Sequence, residues 1–233
     1  MKAADPLVEI QGLCHDGPDG RRLFAGADLA LFAGERVAVR GPDGAANHAL
    51  LLLLAGLVRP AQGEVRLFGE SLGRLGRKRL DALRRRIGVV LSRSPLISNL
   101  RAVENVALPL MYHTRLGRPA ALARAGELLE AAGFAEGLWA VPDHLSAGSR
   151  ALVALARALV LRPEILAWEE PDDGFDADVL NRLWKLADHN LPEHALLLVT
   201  LRQPPTAPLP VDRVISIVSG RFVEAPAPLA PSR

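Results

Sequence analysis

Two kinds of apolar pattern alternate along this chain of 233 residues. Residues 7–13 and 27–31 are short apolar-rich runs on either side of the turn-forming cluster Asp16-Gly-Pro-Asp-Gly20, and they read as strands. Residues 35–40 alternate polar and apolar and predict a third strand. It runs into Gly41-Pro-Asp-Gly44 and then into an apolar stretch that predicts a buried helix over about residues 47–57. Strand, glycine-bearing loop and helix, in this order, frame a phosphate-binding loop, because loop N–H groups and the helix N-terminus face one anion.

Residues 64–68 and 87–91 read as further strands. Residues 165–168, 195–200 and 211–218 are apolar runs of the length found in sheets covered on both faces. Between these groups, over about residues 94–160, the pattern turns helical. Residues 120–132 are rich in Ala, Leu and Glu and end at Gly133, and residues 150–161 repeat apolar positions at helical spacing and stop before Pro163. The predicted fold is a strand-rich α/β core with a helical insert. Residues 225–233 are rich in Pro and Ala and are expected to form a disordered tail.

Composition narrows the function. Hydrophobic residues make up 49% and charged residues 23%, ordinary for a globular domain. A net charge of +2 gives no strong field for nucleic acid, so no nucleic-acid partner is expected. The lysines are Lys2, Lys78 and Lys185, the other basic residues being arginine, which reads as coding bias rather than a binding patch. The single cysteine, Cys14, cannot form a disulfide within the chain and fits a reducing cytoplasm. The first six residues hold no signal-peptide core. The longest apolar run, residues 49–58, is about half the ~20 residues that span a bilayer, so membrane association would come through a partner.

The order of several motifs is more specific. Gly41-Pro-Asp-Gly-Ala-Ala-Asn-His-Ala49 is followed by Leu145-Ser-Ala-Gly-Ser149 and the helix-forming run Ala151-Leu-Val-Ala-Leu-Ala-Arg-Ala-Leu-Val160. Next come Pro163-Glu-Ile-Leu-Ala-Trp-Glu-Glu-Pro171 and Asp173-Gly-Phe-Asp176. From about residue 7 to residue 224 this order resembles the ABC transporter ATPase family, with P-loop, signature, Walker B strand and D-loop in sequence. The resemblance implies a P-loop NTPase core with an antiparallel β subdomain and a helical subdomain inserted at about residues 94–160. A narrower likeness lies in residues 95–110 and Tyr112-His-Thr114, which resemble the ATPases of bacterial phospholipid transporters that work with MCE-domain proteins.

Set against that pattern, the chemistry of this chain's own ATP site is altered. A working P-loop needs Lys for the β/γ-phosphates and Ser/Thr for Mg²⁺. Asn47 and His48 stand there, followed by Ala49, while Ala46 replaces the last glycine and is expected to push its Cβ toward the phosphates. Gly41 and Gly44 remain, which is equally what a loop retained only as a connection would keep. Glu169 replaces the Walker B aspartate, whereas Glu170 matches the general base. Ser92 stands at the Q-loop glutamine and Leu201 at the switch histidine. The adenine-stacking aromatic aligns with Gly17, near His15. Ser146 and Gly148 are kept in the signature, where the family binds the γ-phosphate held by the partner subunit, although Ser146 is also an ordinary helix N-cap. Ala147 and Ser149 replace a glycine and a glutamine.

The resemblance therefore implies a transporter subunit, with lipid as one candidate cargo, whose own site holds ATP and Mg²⁺ weakly and has lost most hydrolysis. No protein-held metal centre is expected. Its partners would be a membrane permease, docked near Ser92 to Leu110, and a second ABC ATPase, with the subunit cytoplasmic on the inner face of the cell membrane. Two other readings stand beside it: an active homodimeric ATPase with a divergent site, and a nucleotide-independent scaffold or regulator.

Overall fold

The computed structural model describes residues 5–41, 44–92, 96–134, 136–171, 174–203 and 209–225. Along the chain the elements are β1 (Val8–Asp16), β2 (Arg22–Leu31), β3 (Arg36–Arg40), α1 (Gly44–Leu54), β4 (Gln62–Leu67), β5 (Glu70–Ser71) and α2 (Arg77–Arg84). They continue with β6 (Ile87–Val90), α3 (Ala102–His113), α4 (Arg118–Ala131), α5 (Ala147–Leu159), β7 (Ile165–Glu169) and α6 (Ala177–Asn190). The chain closes with β8 (Leu196–Leu201), β9 (Arg213–Val218) and β10 (Arg221–Ala225).

These strands form two sheets. One has the order β2-β1-β4-β5 and is antiparallel, and the other has the order β10-β9-β3-β8-β7-β6. From β9 to β6 the larger sheet is parallel, and β10 pairs with β9 as an antiparallel edge. Strand alternation sends side chains of the parallel sheet into two separate cores. Ala38, Leu166, Trp168, Leu197, Val199 and Leu201 face the helices α3 to α6. Val37, Val39, Ile165, Leu196 and Leu198 face α1 and the antiparallel sheet. A hydrogen bond from Ala25 N to Gly220 O at 2.9 Å ties β2 to the β9–β10 turn. Gly88 allows β6 to lie against α5, since a Cβ there would stand 2.6 Å from the Ala158 carbonyl oxygen.

The α/β architecture, with antiparallel and helical parts, agrees with the sequence reading. Three elements escape the apolar pattern for one reason, which is that they bury little. Of α2 only Leu83 is buried, β10 is mostly exposed, and α6 buries Leu183, Leu186 and Ala187 among polar neighbours. Ala225, which the sequence reading assigned to the tail, closes β10; residues 226–233, the rest of that expected tail, lie outside the described residues. Among the described residues no helix is long and apolar enough to cross a membrane.

The segment before α3 is held by a buried asparagine. Asn105 accepts from Ile97 N at 2.8 Å and donates to the carbonyls of Ile97 and Leu100, each at 3.1 Å. Asn105→Ala should remove several buried partners at once and lower stability by about 2 kcal/mol or more. Urea unfolding checks this, and a variant within 0.5 kcal/mol (about the scatter of neutral surface changes) would show that the segment is held elsewhere.

Candidate nucleotide site

Parallel α/β sheets bind ligands at the carboxyl ends of their strands. Here β3 ends at Arg40 and α1 begins at Gly44, three residues earlier than the sequence pattern places it. Gly41 N donates to Leu201 O at 3.2 Å across the strand ends. Pro42 and Asp43, which complete the loop, lie outside the described residues, as do Arg93 to Pro95 of the expected permease-facing stretch.

The side chain at the lysine position does not reach outward. Asn47 is fully buried and its Nδ2 donates to Leu201 O at 3.0 Å, while its Oδ1 is buried without a hydrogen-bond partner. Ala46 and Ala49 are also buried, in the core beneath α1. The Ala46 methyl thus takes part in that packing. Leu201 likewise puts its side chain into the helix-side core and presents only its carbonyl here.

Three positions singled out separately come together as one cluster. His48 Nδ1 lies 3.1 Å from Glu169 Oε1 and 3.2 Å from Oε2. Ser92 N donates to Glu169 Oε2 at 2.9 Å. Glu169 is only 3% exposed, and these two donors face its carboxylate. Magnesium demands near-octahedral oxygen coordination at about 2.0–2.1 Å. An imidazole occupies the hydroxyl position, and each Glu169 oxygen already faces a protein donor, so the residues present do not form a magnesium ligand set. Among the described residues no group of three or more His, Cys, Asp or Glu forms a metal-holding cluster.

Glu170 follows at the end of β7, with φ +48°, an uncommon left-handed conformation for a side-chain-bearing residue. Its Oε2 lies 3.2 Å from Arg202 Nε. A Cβ placed on Gly44 would stand 3.3 Å from Glu170 Oε1 and 3.6 Å from Arg202 Cδ, so both side chains lie over the start of α1. Arg202 was missed in the sequence, although it directly follows the switch position at a strand end. Gly17 sits in the β1–β2 turn, its N bonded to Arg21 O at 2.8 Å, and His15 pairs with Phe24 across the two strands.

Ser146 and Gly148 form a second cluster. Ser146 caps α5, its Oγ accepting from Ser149 N at 3.2 Å, and its N donates to the Glu136 carboxylate at 3.0 Å. Hydrogen bonds from the Ser146 side chain and backbone hold the Glu136 carboxyl below the ordinary glutamate range. Gly148 packs on α6, where a Cβ would come within 3.0 Å of Val179 Cγ2. A cavity of about 270 Å³, lined by Ala147, Arg150, Ser92 and Glu170 among others, lies between α5 and the end of β7.

The depressed Glu136 acidity fixes a sign. A carboxylate with a lowered folded-state pKa contributes stability above its unfolded value, and that contribution is lost as pH falls through the folded value. Melting curves of wild type and Glu136→Ala should differ at pH 7 and converge below the ordinary glutamate value of 4.5. A difference independent of pH would remove the charge from the cap.

The family model described as ABC transporter matches residues 24–173. The chain belongs to the ABC transporter ATP-binding family. The cassette is 36% identical to the lipoprotein-releasing system ATP-binding protein LolD of Chromohalobacter salexigens, over 94% of this chain and 93% of that protein. It is 34% identical to the macrolide export ATP-binding/permease protein MacB 1/2 of Paracoccus denitrificans, over 94% of this chain but 33% of that longer protein. Among solved structures, the dimeric post-hydrolysis state of an ATP-binding cassette bound to ADP and Pi superposes with a TM-score of 0.82 at 26% identity. That match covers 92% of this chain and 96% of the other.

Proposed function

We propose that this cassette is a transporter subunit whose own ATP site is degenerate, and that it works with a permease and a second, hydrolytically competent cassette. The single observation carrying this reading is the cluster of His48, Glu169 and Ser92. It joins the positions that elsewhere handle metal and attacking water directly to one another. The loss of the lysine charge at Asn47 and the engagement of Glu170 by Arg202 point the same way. The signature keeps Ser146 as a helix cap and would cover a nucleotide held by the partner cassette. Relatives named for lipoprotein release favour a lipid-bearing cargo. Membrane attachment would be peripheral, through the permease near Ser92 to Leu110.

A scaffold reading has one observation of its own. The Glu136 carboxylate already takes the Ser146 N–H that a partner's phosphate would use.

The test is titration calorimetry of the isolated protein with Mg-ATP. Losing one charged donor costs about 1.5–3 kcal/mol, up to roughly a hundredfold in affinity. The expected result is a dissociation constant well above the low micromolar range. A low-micromolar constant would sink the degenerate-site reading.

A further inference from the structure

We infer that this chain's own site takes a nucleoside di- or triphosphate without magnesium, with the Arg202 guanidinium supplying the positive charge that the metal and the P-loop lysine supply elsewhere. This inference rests on the degenerate-site reading and sharpens it.

Polyphosphate needs three things: oriented N–H groups, positive charge, and room for any metal it brings. The first survives in part, since α1 still begins at Gly44 at the strand ends, and its N-terminus favours an anion. The second has moved. Asn47 bears no charge and points into the fold, but Arg202 arrives from the end of β8 on the neighbouring strand. Its Cδ stands 3.6 Å from where a Gly44 Cβ would be, and its side chain is 49% exposed, so it lies over the start of α1 and stays open to solvent. Its contact with Glu170 at 3.2 Å holds it there, and guanidinium binds phosphate through a planar fork of donors.

The third requirement is the one the site refuses. Glu169 meets His48 through one edge and Ser92 N through Oε2, so a hydrated magnesium ion riding on the phosphates would have to break both contacts to gain a carboxylate oxygen. It would also meet an imidazole where a hydroxyl is needed, and it would draw off phosphate charge that Arg202 requires. Magnesium should therefore compete with the site for the phosphates.

The experiment is calorimetric titration of the full chain with ATP, once in EDTA and once in excess magnesium chloride. The expected result is measurable binding in EDTA that magnesium weakens about tenfold, the scale of one charged hydrogen bond. Arg202→Gln should lower the EDTA binding by about the same factor, with its melting temperature checked to show that it is folded. The double variant His48→Ser with Glu169→Asp should make magnesium strengthen binding, which a merely misfolded loop would not do. Absence of ATP binding in both buffers would overturn the inference and leave the degenerate-site reading standing. So would EDTA binding insensitive to Arg202→Gln. Low-micromolar binding that requires magnesium would overturn both.

Discussion

Replacing Ser146 by arginine is expected to lower ATP turnover of the assembled transporter by on the order of 10²-fold, the scale for removing a preorganised donor from a charged transition state. Ser146 stands at the N-cap of α5, where the serine hydroxyl and the helix N-terminus face the same point. An arginine there fills that space and holds the two cassettes apart. The substitution also removes the cap that bonds Ser149 N, at a cost of about 1 kcal/mol, so the fold needs its own control. Ser146→Ala loses the cap without adding bulk, and Ser146→Thr restores it. If turnover falls only in the arginine variant while binding to the permease is unchanged, the signature acts on the partner's nucleotide. Unchanged turnover in that variant would make the signature structural. The Glu136 contact would then move the scaffold reading ahead.

The second large effect is a restoration that fails. Asn47→Lys returns the charge of a working P-loop, yet turnover by the purified protein should stay at least ~10²-fold below that of an intact cassette. Catalytic residues acting as a unit are strongly non-additive, so mending one of several leaves the others limiting. The structure adds a physical reason to the motif comparison. The new lysine would start from a fully buried position whose present occupant bonds the Leu201 carbonyl. Even if it reached the phosphates, Glu169 would remain engaged by His48 and Ser92, and Glu170 by Arg202. A steady-state rate comparable to an intact relative from that single change would show that the damage is not distributed.

Much of this arrangement was legible because it depends on local pattern. The apolar run behind Gly44 demanded a buried helix, and the apolar runs at residues 165–168, 195–200 and 211–218 demanded a sheet covered on both faces. The order of motifs then assigned places to Asn47, His48, Ser92, Glu169 and Leu201 before any geometry was known. What stayed hidden depends on which way a side chain turns once strands are neighbours. Ala46 turns into the core, and Leu201 offers a carbonyl where a ring was sought. Arg202 and Glu170 are remote in sequence and meet only because their strands are adjacent in the sheet. Glu136 reaches Ser146 from the irregular segment before α5, for which no periodicity exists to read.

The proposal that this cassette does not run on its own site is tested most directly by steady-state ATP hydrolysis by the purified wild-type chain as the sole cassette present, at saturating magnesium and ATP. The expected rate is indistinguishable from buffer, with hydrolysis appearing when a competent partner cassette is supplied. Robust turnover by the chain alone, abolished by Glu170→Gln, would contradict it and establish an active homodimer.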